Sequence, residues 1–122
     1  MSKVHIVRRS DIRTILQKWQ DHKVQPEAVQ RWAEMRFNSD QYDVNDWEKE
    51  GSIANEVLSL LEMLDFNLMT EQDIPALLQL LGTQKGSFSE GFLRWRDYFC
   101  SIDLKARSTE LADRQPYAPF CT

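Results

Sequence analysis

The sequence predicts an all-α chain: an antiparallel bundle of four to five helices in a single domain spanning residues 1–122, with an irregular C-terminal tail. Two observations carry this. Apolar residues recur at i, i+3, i+4 and i+7 over most of the chain, and runs of alternating β-branched residues are nearly absent. Only four Gly and four Pro interrupt 122 residues, so the connectors are short. With 42% hydrophobic residues, including four Trp, six Phe and three Tyr, the chain holds enough apolar material for one core.

Residues 1–9 read as an N-terminal extension, in which KVHIV at Lys3–Val7 is an extended segment laid over the core. Ile12, Ile15, Leu16 and Trp19 then define the inward face of a first helix, with Ser10 as N-cap, Asp11 in the first turn and an end near His22. Pro26 opens a second helix over residues 26–37, whose inward stripe is Val29, Trp32, Ala33, Arg36 and Phe37. A third helix covers Ser52–Asp65 on the stripe Ile53, Val57, Leu60, Leu61 and Leu64. Ser52 or Asn45 is its cap, and the choice sets where it starts.

The segment MTEQDIPALLQLLG offers two starts for a short fourth helix: Thr70 capping toward Asp73, or Asp73 itself with Pro75 in the first turn. Leu77, Leu78 and Leu81 point inward, and Gly82 is placed to end the helix in a left-handed conformation. Ser87 and Glu90 stand at capping-box spacing before the stripe Phe88, Phe92, Trp95, Phe99 and Ile102, which predicts one long helix from Phe88 to about Ala106. Residues 113–122, with two Pro and several apolar side chains, read as an irregular tail that folds back over the core.

Absent signatures leave several function classes without support. There is no phosphate-binding Gly loop, no GxSxG, no HExxH and no Glu-x-x-His pair of the di-iron bundles. Cys100 and Cys121 lack neighbours at zinc-ligand spacing, so Cys100 reads as a small buried apolar residue and the setting as reducing and cytoplasmic. The acidic stretch NSDQYDVNDWEKEG fails as a calcium loop in either register, because Tyr42 and Val44, or Trp47 and Ala54, fall where oxygen ligands are required. No catalytic residue, metal or cofactor is assigned. No apolar run approaches the roughly 18 residues of a membrane span, and a net charge of −4 argues against general nucleic-acid binding.

Charge is distributed unevenly. Residues 1–37 carry a net +4, residues 38–73 a net −9 and residues 74–122 a net +1. The candidate partner-binding residues are therefore Asp40, Tyr42, Asp43, Asp46, Trp47, Glu48, Glu50, Glu56, Glu62 and Asp65: carboxylates that steer a basic protein, and two aromatics that anchor it. Beside an enzyme with an unrecognised carboxylate site, which would line a cleft with at least one buried Asp or Glu, two other readings stay open. In one, these carboxylates form a solvated face or pair internally with the basic first helices. In the other, the chain is a structural or regulatory adaptor that self-associates through Trp95, Tyr98, Phe99, Tyr117 and Phe120.

From Ser10 through WQDHKVQPEAVQRW, the acidic DVNDWEKEGSIANEVLSLLEML, and on to the Thr70–Leu81 segment, the chain resembles the helical immunity proteins of the colicin D type. These bacterial proteins bind and block a tRNA-cleaving toxin domain. The resemblance covers about residues 8–82, and it implies a cognate toxin nuclease as partner and no catalysis. The aromatic helix and the tail beyond Gly82 lie outside it.

Overall fold

A computed structural model describes residues 4–121 of the chain. It is mainly helical, with six α-helices among the described residues: α1 Arg9–Gln20, α2 Pro26–Arg36, α3 Ile53–Glu62, α4 Ile74–Leu81, α5 Phe88–Cys100 and α6 Leu104–Leu111. The all-α expectation needs one correction. β1 (His5–Val7) and β2 (Tyr42–Val44) pair in parallel, with His5 opposite Tyr42, Ile6 opposite Asp43 and Val7 opposite Val44. The expected extended segment is thus a strand, although Lys3 and the rest of the extension before Val4 lie outside the described residues. Val7 and Val44 enter the core, which fixes the register of both strands.

α1 begins two residues earlier than expected. Its N-cap is Arg8, whose backbone N–H donates to the Asp11 carboxylate at 2.8 Å; Ser10 lies inside the helix. α1 buries Ile12, Ile15, Leu16 and Trp19, as the periodicity predicts, and α2 buries Val29 and Ala33 while Trp32, Arg36 and Phe37 stay half-buried. Ser52 caps α3 by accepting from Asn55 N–H at 3.1 Å. Leu58 and Ala54 join the buried face of that helix, and Leu60 sits at its margin.

Both proposed starts of the fourth helix are used in succession. Thr70 and Asp73 cap a 3-10 turn over Glu71–Asp73, after which α4 proper carries Pro75 in its first turn. Gly82 does not take the left-handed conformation expected of it, with φ −82°. The C-terminal carbonyls are served by two arginines of α1 instead: Arg9 donates to Leu81 O at 2.9 Å and to Thr83 O, and Arg13 to Leu81 O at 3.1 Å. Cations at a helix C-terminus complement its dipole as well as its orphan acceptors.

The single long helix after Ser87 is two helices. α5 ends at Cys100, and the Asp103 carboxylate accepts Ala106 N–H at 3.0 Å to start α6. Ser101 and Asp103 are the break signal, since both side chains compete for backbone partners. The Ser87–Glu90 capping box does not form, as Ser87 makes no side-chain cap bond. α5 buries Phe88, Gly91 and Trp95, and a Cβ on Gly91 would lie 2.2 Å from Thr83 Oγ1, so glycine permits the close approach of α5 to the end of α4. Cys100 is exposed, contrary to expectation, because five residues beyond Trp95 carries it about 140° around the helix.

The tail does fold back. Tyr117 is buried and its hydroxyl donates to Met69 O, while residues 118–120 form a 3-10 turn and Thr122 lies outside the described residues. α6 is held by a buried centre in which Arg107 donates to Asp73 Oδ2 at 2.8 Å and to Leu68 O at 3.2 Å. Tyr98 donates to Asp73 Oδ1 at 2.6 Å.

Candidate functional site: an acidic clasp and the groove beside it

The ten residues singled out by charge do not form one surface. Trp47 and Ser52 are bridged across a turn that bends at Lys49 and Glu50, with Glu48 N–H donating to Gly51 O at 2.8 Å. Extended backbone sends alternate side chains to opposite sides. Asp46 and Glu48 meet the body of the protein, Glu50 reaches Ser89 from the bend while staying exposed, and Trp47 is turned outward.

Asp46 is a correction to the expected binding surface. Only 2% exposed, it accepts Arg9 Nε–H at 2.9 Å, Ala54 N–H at 2.9 Å, the Ser52 hydroxyl at 3.5 Å and the Lys85 ammonium. Burial pushes its carboxyl up, but the bonds from Lys85, Ala54 and Arg9 outweigh it and hold the pKa below the ordinary carboxylate value. Glu48 accepts Gly86 N–H at 2.9 Å, and Glu50 accepts the Ser89 hydroxyl at 2.6 Å. Three carboxylates at alternate positions therefore clasp Lys85 and Gly86 of the connector and Ser89 of the first turn of α5. Arg9 Nη2 and Glu48 Oε2 face each other at 3.9 Å and are buried atoms of the clasp without a hydrogen bond among the described residues.

Gly51 is required in this turn. Its φ is +151°, and a Cβ there would meet the Phe88 ring at 2.8 Å. Neither Gly51 nor the clasp partners Arg9, Lys85, Gly86 and Ser89 stand out in the sequence. The available signal was the alternation Asp46, Glu48, Glu50 around Trp47 and Lys49.

The other candidates scatter. Glu56 is half-buried on α3 without an ion pair among the described residues, and desolvation raises its pKa. Asp65 turns back to accept Phe66 N–H at 2.7 Å, and Glu62 lies at the far end of α3. Asp40 is exposed in the turn before β2. Tyr42 is not a free anchor: its ring lies 5.3 Å from His5 and under the Arg36 guanidinium, which also covers Trp32 at 4.2 Å.

Only Tyr42, Asp43 and Trp47 of the ten line a common groove, of about 210 Å³, together with Arg36, Asn38, Ser39, Val44 and Asn55. Trp47 is 58% exposed there. Asp43 is exposed and gives one oxygen to Val44 N–H at 2.8 Å. Chemically the groove offers an aromatic face, a carboxylate and several amides, which is the equipment of a recognition surface.

Asp46 and Asp73 are both buried, yet neither lines this groove or any other cavity described, and all four of their carboxylate oxygens already accept hydrogen bonds. Among the described residues no three His, Cys, Asp or Glu converge to hold a metal ion, and no helix is long and apolar enough to cross a membrane. Compared with known protein families, curated proteins and solved structures, the chain gives no match.

Proposed function

We propose that this chain is a non-catalytic binding protein that neutralises a basic, nuclease-type bacterial toxin. On this reading, helices α1 to α4 form an antiparallel scaffold, and the partner docks at the groove beside Trp47. The observation that carries it is the outward placement of Trp47, 58% exposed, with Asp43 in the same groove and Asp40 just beyond the lining residue Ser39. A large aromatic beside carboxylates that no internal cation claims suits a hot spot for a cationic protein. The binding surface is narrower than charge alone implied. Asp46, Glu48 and Glu50 support it from behind by fixing the segment that holds Trp47.

The test is association with a basic nuclease domain encoded beside this chain's gene, followed by stopped-flow at several salt concentrations. The association rate should fall as salt screens the steering charge, and Asp40→Lys with Asp43→Lys should weaken binding by at least an order of magnitude. Unchanged binding by that variant, with its fold intact, would sink the proposal.

A second reading has its own observation. Phe66 and Phe120 are 58% and 42% exposed and meet edge to face at 5.7 Å, an apolar pair suited to a self-associating adaptor. Sedimentation at high concentration separates the two, since this adaptor is a dimer and a strict monomer removes it.

A further inference from the structure

We infer that the groove beside Trp47 selects a guanidinium, so that the partner presents an arginine there and not positive charge alone; this rests on the basic-partner reading above. The argument starts from the unequal edges of β2. His5 N–H donates to Gln41 O at 2.8 Å, and Ile6 pairs with Asp43. By the alternation of a parallel ladder, the backbone groups of Asp43 face β1, and those of Tyr42 and Val44 face away from it, along the groove.

On that outer edge the donors are already used. Tyr42 N–H donates to Ser39 O at 3.4 Å, and Val44 N–H to the Asp43 carboxylate at 2.8 Å. The carbonyls of Tyr42 and Val44 accept nothing from the described residues. The edge therefore presents acceptors without donors. An added β-strand needs both in turn and is poorly served here. A side chain with several N–H groups and no acceptor is well served, which leaves Arg and Lys.

Two further groups separate those. No described aromatic or cationic group stacks on the Trp47 ring, so its face is open. Asp43 also keeps its second oxygen free of described donors. A planar guanidinium can lie on indole while its fork reaches a carboxylate and carbonyls; an ammonium, compact and strongly hydrated, serves one of these at a time. Arg36 lines the groove too and opposes any incoming cation. Its guanidinium is fixed over Trp32 and Tyr42, with Nη1 bound to Trp32 O at 2.9 Å, and Asp43 in the same lining balances its charge.

The experiment titrates the full chain with octaarginine and with octalysine, following the Trp47 indole and Asn55 amide resonances by NMR and affinity by calorimetry. Octaarginine should bind about tenfold more tightly, shifting both resonances. In Trp47→Ala, followed at Asn55, that preference should disappear, and Asp43→Asn should weaken octaarginine binding. If the two peptides bind alike at Trp47, or if the preference survives Trp47→Ala, the guanidinium inference is overturned while the basic-partner reading stands. If neither peptide moves the Trp47 and Asn55 signals, both are overturned.

Discussion

Asp46 and Asp73 are the two buried aspartates of this protein, and the same residue type does different work at each. Asp73, with 0% exposure, has a guanidinium from α6, a phenol from α5 and the Thr70 N–H around it, and it ties the C-terminal third to the 3-10 turn before α4. Nothing in this centre is left for a partner. Burial and then the bond to Asp73 push the Tyr98 hydroxyl up to about 12, which keeps it a donor at any ordinary pH. Asp46 is equally saturated, but one of its donors, Lys85, is 62% exposed, and its chain neighbour Trp47 opens onto a groove. The deep carboxylate closes a core, and the rim carboxylate fixes the segment that carries the exposed Trp47.

Removing the partners should rank the two centres. Arg107→Ala leaves Asp73 buried without its cation and should cost about 3–5 kcal/mol in urea unfolding. Asp46→Asn removes the charge paired with Arg9 and Lys85 and turns one acceptor oxygen into a donor, but both cations reach solvent more readily, so about 1.5–3 kcal/mol is expected. A larger loss at Asp46 than at Arg107 would break the comparison.

Acid should expose the rim centre through its linkage. The folded-state pKa of Asp46 is depressed below its unfolded value, so its contribution is present above the unfolded pKa, near 4, and is lost as pH falls through the folded one. Glu56 acts oppositely. Its folded pKa is raised by burial, so folding is favoured below the unfolded pKa and loses that contribution as pH rises through the folded value. Thermal melts of Asp46→Asn should show less loss of stability below pH 4 than the parent. Glu56→Gln should gain stability at pH 7 relative to pH 4.

The smallest expected effect on stability sharpens the contrast most. Trp47→Ala removes an exposed ring and should change unfolding free energy by no more than about 0.5 kcal/mol, while abolishing most partner binding. A melt and a binding isotherm on the same sample read both.

What could be read from the chain follows from where its information lies. The helical stripes of α1 and α3, the Ser52 cap and the Pro-bearing start of α4 were legible because each depends on residues within a few positions of one another. The strand pairing of His5–Val7 with Tyr42–Val44 and the bond from Lys85 to Asp46 join residues more than thirty positions apart, and no local pattern records them. The break between α5 and α6 was written in Ser101 and Asp103, but the aromatic period running through them read as one helix.

By itself, therefore, the sequence determined the helical class, most inward faces and the concentration of negative charge between residues 38 and 73. Only the tertiary structure decided which of those charges are available. An extended segment sends alternate side chains to opposite sides, and the body of the protein supplied Arg9, Lys85, Gly86 and Ser89 on one of them. Asp46 and Glu48 were engaged there, Glu50 bonded Ser89 while staying exposed, and Trp47 was left facing out onto the groove.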